Sequence, residues 1–113
     1  MKSNLTDQSI AKTLFDYCGG TKQLSTVCGA TDFGMDLTNE LSPYVKFRLK
    51  SNNPNIVKII YNRALDTITL EFGLLRNLDY KLIKTIENVY CDQVADIFEM
   101  ETGLKLLIKP KFE

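Results

Sequence analysis

Tyr44, Lys46, Arg48 and Lys50 recur at every second position of one short segment. In a strand, that spacing places all four side chains on a single face. Lys58, in the next apolar segment, extends the same basic surface. A basic sheet face carrying an aromatic ring can hold single-stranded nucleic acid, with cations on the phosphates and bases stacked on the ring. An ordinary outward face reads the same way, because exposed lysines also discourage edge-to-edge strand pairing. Five bases and no acid lie between Leu41 and Ala64, and five acids and no base lie between Ile86 and Leu104. The net charge is zero, yet the chain is dipolar. Asp92, Asp96 and Glu99 form the corresponding acidic contact face. Opposed patches of this kind suit a protein partner, or self-association in which the basic sheet of one copy meets the acidic helix of another.

Residue types restrict catalysis further. The chain has no histidine, so the commonest general base is missing and Ser–His or Cys–His nucleophilic pairs cannot form. Asp92 and Asp96 stand four apart, as do Glu87 and Cys91, but acids at that spacing on a helix ordinarily make a solvated face. Cys18 and Cys28 are ten positions apart and Cys91 stands alone, which does not match the paired ligands of a structural zinc site. The GGTK run at Gly19–Lys22 follows a helix rather than a strand and lacks the full phosphate-loop order. No catalytic, cofactor or metal residue is expected, and the chain reads as a non-enzyme.

The elements that position these residues are legible from periodicity. Residues 6–18 read as a helix, capped by Thr6 or Asp7 and buried through Ile10, Ala11, Leu14, Phe15 and Cys18. Gly19-Gly20 ends it, Thr21 caps a second short helix burying Leu24, Val27 and Cys28, and Gly29 stops that one. Lys22, Gln23, Ser25 and Thr26 on the second helix could meet DNA in a helix-turn-helix. However, residues 1–43 carry three bases against five acids, a poor balance for phosphate attraction.

Residues 30–43 read as an irregular connection, with Phe33 and Met35 folding back on the core. Three strands follow: YVKFRLK with Val45, Phe47 and Leu49 inward, then IVKIIYN, then DTITLEFG with Ile68, Leu70 and Phe72 inward. From Asp79 to Thr102, the positions of Leu82, Ile83, Ile86, Tyr90, Val94, Ile97 and Phe98 predict one long helix stopped by Gly103. LKLLIKP at Leu104–Pro110 predicts a last short strand. The order α, α, β, β, β, α, β describes an α+β, two-layer domain. Its small, mainly antiparallel sheet, a three-strand meander plus the C-terminal strand, has helices packed on one face.

At 113 residues, 44% hydrophobic and 25% charged, residues 1–113 form a single domain of ordinary globular composition. No eighteen-residue apolar run is present to cross a membrane, and MKSNLTDQSIAK lacks the apolar centre of a secretory signal. The expected compartment is a cytoplasm, where the three cysteines stay reduced.

Three blocks, CGGTKQLSTVCGATDF, NIVKIIYNRALDTITLEFG and VYCDQVADIFEMETGL, together resemble small phage and mobile-element proteins of unassigned function. The likeness spans about Leu14 to Leu107. It implies an accessory protein made in a bacterial host cell that works by binding a host or phage protein, sometimes a host-defence component. It carries over no functional residue. Nucleic acid held on the basic sheet face stays open as the alternative.

Overall fold

The computed structural model describes residues 7–50 and 54–106. Residues 1–6, with the candidate cap Thr6, residues 51–53 and residues 107–113 lie outside them, and with them most of the predicted last strand. Helices α1 (Asp7–Asp16) and α2 (Thr21–Val27) precede strands β1 (Thr31–Asp36), β2 (Tyr44–Arg48), β3 (Ile56–Asn62), β4 (Thr67–Arg76) and β5 (Asp79–Val89). A 3-10 turn (Cys91–Gln93) then leads into helix α3 (Val94–Thr102). The fold is α+β. All five strands pair antiparallel with their sequence neighbours, in the order β1-β2-β3-β4-β5.

The helix stops fall where glycine is needed. Gly19 and Gly20 have φ of 89° and 96°, and the Gly20 amide donates to the Phe15 carbonyl at 3.1 Å. Gly103, at φ 75°, closes α3 in the left-handed conformation. Thr21 is not the cap of α2. Gly20 holds that position without a side-chain bond, and Thr21 opens the helix.

The inward strand face carries Val45, Phe47, Val57, Ile59, Ile68, Leu70 and Phe72, all buried. Phe47 joins the two layers, its ring centroid 6.2 Å from Phe15 on α1 and 6.1 Å from Phe98 on α3. One residue therefore touches both the N-terminal and the C-terminal helix, which places them on the same face of the sheet. No described helix lies over the other face.

Two segments differ from the sequence reading. The connection predicted over residues 30–43 holds an edge strand, β1, whose pairing with β2 is irregular between Thr31 and Gly34. Phe33 does reach the core, 5.5 Å from Phe15, whereas Met35 stays 53% exposed.

The larger correction concerns Asp79–Thr102, where the single predicted helix is strand β5 followed by the 3-10 turn and α3. Leu82, Ile83 and Tyr90, expected to pack inward, are 48%, 44% and 61% exposed. Register shifts interrupt β5 opposite Phe72/Gly73 and opposite Ile68/Leu70. Each bulge adds a residue and breaks the period of two, so Lys84, Ile86 and Val89 pair with Phe72, Leu70 and Ile68 on the inner face at mixed spacing. The turn between β4 and β5 is Asn77-Leu78, both at positive φ (50° and 71°). It has the backbone of a primed hairpin turn without the glycine that usually announces one. Residues Leu104–Leu106 are not strand. The Leu106 amide instead donates to Glu99 Oε2 at 2.7 Å, folding the chain back on α3.

Candidate binding site on the open sheet face

β2 alternates as its sequence requires: Val45, Phe47 and Leu49 are buried, while Lys46, Arg48 and Lys50 are exposed. Register then builds the outer face from cross-strand neighbours. Lys46 lies beside Lys58, which lies beside Glu71, and Arg48 lies beside Ile56, which lies beside Gly73. Between these rows and the β4–β5 hairpin runs a groove of about 400 Å³. Ile56 and Leu75 supply its apolar lining, Lys46, Arg48 and Lys58 its positive charge, Tyr80 its ring, and Asp32 an acid.

Leu75 is held by Asn55, which is 9% exposed. Its side chain donates to the Leu75 carbonyl at 3.0 Å and accepts from the Leu75 amide at 2.8 Å. An amide side chain thus extends the β3–β4 ladder by one rung and pairs both the amide and the carbonyl of Leu75.

The five sequence-predicted residues do not all converge. Lys46, Arg48 and Lys58 share the groove, and among the described residues Lys46 and Arg48 form no ion pair. Lys58 is engaged twice: its ammonium sits 4.3 Å from the Tyr44 ring centroid and 3.8 Å from Glu71 Oε1. Lys58 thus takes up one face of the Tyr44 ring. Its hydroxyl turns to Asp36, whose carboxyl is held below the ordinary range mainly by the Thr38 hydroxyl and amide, with Tyr44 and Lys58 adding to that. The Lys50 stem packs over Gly29, 3.0 Å from where a side chain there would begin, and so leaves the groove.

Tyr80 supplies the ring that lines the groove. It stands opposite Leu75, half exposed, and its Oη, Cε1 and Cζ fill the space that a side chain at Gly73 would occupy. Partial burial, with Glu71 nearby, pushes its phenol up from the ordinary value. The sequence reading missed Tyr80 by placing it on a helix. An aromatic two rungs from a strand glycine was the available signal.

Asp92 lies in the 3-10 turn, Asp96 in the first turn of α3, and Glu99 accepts the Leu106 amide. Glu101 pairs with Lys84 of β5 at 2.9 Å. The polar groups of α2 turn back on the chain. Ser25 and Thr26 donate to the Lys22 carbonyl at 3.1 and 2.8 Å, and Gln23 donates to the Cys18 carbonyl at 3.2 Å. With seven residues, α2 is also too short to present a reading face.

Cys18 and Cys28 are buried free thiols under the two N-terminal helices, and Cys91 is partly exposed. The described residues hold no group of three or more His, Cys, Asp or Glu able to bind a metal. Burial, with Cys28 as a neighbour, pushes the Cys18 thiol from its ordinary 9.0 up to about 12. The folded chain then keeps a proton that the unfolded chain releases. This contribution to stability is complete below the ordinary thiol value and is lost as pH climbs from 9.0 towards about 12. With an alkylating reagent at pH 8, Cys91 is expected to react in the native protein, and Cys18 and Cys28 only after denaturant is added. Two thiols modified at the same rate by mass spectrometry, without denaturant, would overturn this placement.

Comparison with protein-family models, with curated proteins and with solved structures returned no match.

Proposed function

We propose that this chain is a non-enzymatic binding protein that engages a protein partner through the β4–β5 hairpin. The observation that carries the reading is Leu78, which is 97% exposed at the hairpin tip with φ 71°. A branched side chain in the left-handed region costs about 1–2 kcal/mol, and Asn-Gly would build the same turn without that cost. Leu82 and Ile83, 48% and 44% exposed, continue the apolar surface along β5, an edge strand of the sheet among the described residues. A partner that buries Leu78 fully would recover about 1.5–3 kcal/mol, enough to offset the strain. The resemblance of the three sequence blocks supports a phage or mobile-element accessory role, with a host-defence component as one class of partner.

Leu78→Gly separates the two roles of this residue. Thermal or urea unfolding is expected to show a gain of about 1 kcal/mol. A photo-crosslinking residue at position 82 is expected to capture a partner in the native cell, and to lose it when Leu78→Gly is added. A Lys12 crosslinker, on the far helical layer, serves as the control. Unchanged capture in Leu78→Gly, or capture equal at Lys12, would overturn the proposal.

A further inference from the structure

We infer that the groove beside Tyr80 is a single-stranded nucleic-acid site, taking one nucleotide with its base against the Tyr80 ring and its flanking phosphates on Lys46 and Arg48. About 400 Å³ lies near the small end of ligand pockets, roughly 300–1,000 Å³, which suits one nucleotide rather than a folded element. Lys46 and Arg48 sit two residues apart on one strand, hence about 7 Å apart, a spacing comparable to that of neighbouring phosphates on an extended strand. Both are exposed and without an ion-pair partner among the described residues. Ile56 and Leu75 give the base an apolar floor, and Tyr80 gives it a ring in the same groove. A duplex cannot use that ring, because its bases stay stacked, whereas a single strand can splay one out.

Asp32 gives the inference its sharpest test. It lines the groove next to Thr31, which pairs with Arg48, and its carboxylate opposes a phosphate there. Its φ is 56°, a conformation that asparagine adopts as readily. Asp32→Asn therefore keeps the backbone and removes the repulsion, so it is a gain-of-binding variant.

Anisotropy titrations would use the full chain with labelled single-stranded DNA and RNA ten-mers, the matched duplex, the mononucleotide and an acidic peptide of equal charge. The single strand is expected to bind, with a log–log salt slope of about −1.4 for two phosphate contacts. Tyr80→Ala is expected to weaken binding roughly tenfold and Tyr80→Phe to restore it. Asp32→Asn is expected to tighten binding, and Leu78→Gly to leave it unchanged, so this site and the proposed hairpin contact fail or stand separately. No binding at low salt would overturn the inference. So would equal affinity for the duplex or the mononucleotide, indifference to Tyr80→Ala, or preference for the acidic peptide, which would make the groove a site for protein.

Discussion

Replacing Phe47 by alanine is expected to destabilise the fold by about 3–5 kcal/mol, a large fraction of the roughly 5–15 kcal/mol that holds such a domain. The residue is 1% exposed and its ring lies about 6 Å from those of Phe15, Phe33 and Phe98. Deletion therefore opens a cavity between α1, the β1 edge and α3 at once. Each lost ring pair adds about 0.5–1.5 kcal/mol beyond area alone, which favours the upper end of the range. In urea, with a slope near 2 kcal/mol per molar, the midpoint should fall by about 2 M. Arg48→Gln, one position away on the opposite face, should move it by no more than about 0.5 kcal/mol equivalent. A Phe47→Ala shift as small as that of Arg48→Gln would mean that α1 and α3 do not share one core against the sheet. The contrast between neighbours also separates the residues that hold this fold from those free to bind.

That separation was legible in β2 because nothing interrupts its period: Val45, Phe47 and Leu49 alternate with Lys46, Arg48 and Lys50 in sequence and in space. The glycine-stopped helices were legible for the same reason, a local rule met locally at Gly19-Gly20, Gly29 and Gly103. β5 was not. Its bulges set Leu82, Ile83 and Ile86 at the three-and-four spacing of a helix, and Leu78 hid the turn by standing where glycine is usual. β1 was hidden in another way, since Gly34 and Asp36 are poor strand formers held in place by pairing with β2, and Asp32 falls in the irregularity between Thr31 and Gly34. The site inherits both difficulties. Its cations lie on the legible strand, whereas Tyr80 and Asp32 lie on the two that tertiary pairing decides. Tyr44 was read as the stacking ring because Lys58, fourteen residues on, gives no sign in sequence that it will take up one face of that ring.

Gly73→Ala is the substitution through which fold and site are most directly coupled. Glycine inside a strand ordinarily costs stability relative to alanine, by about 0.5–1 kcal/mol, and Gly73 is not at positive φ. On backbone grounds alone, alanine should stabilise. A Cβ at Gly73 would nevertheless collide with Oη, Cε1 and Cζ of Tyr80, so the ring must leave. The expected net result is a loss of about 1–3 kcal/mol, together with the fall in oligonucleotide affinity expected for Tyr80→Ala. The double variant Gly73→Ala/Tyr80→Ala decides the cause. With the ring gone, the added methyl has room and the intrinsic strand preference returns, so Gly73→Ala should become neutral or mildly stabilising in the Tyr80→Ala background. A coupling energy above about 0.5 kcal/mol in that cycle identifies the two as contacting residues. Additive effects would instead place the cost of alanine in the backbone of β4 and detach Tyr80 from the groove. The sign of one methyl group thus reports whether glycine stands in β4 to seat the tyrosine of β5, and with it whether the ring of the proposed site is held in place by the sheet.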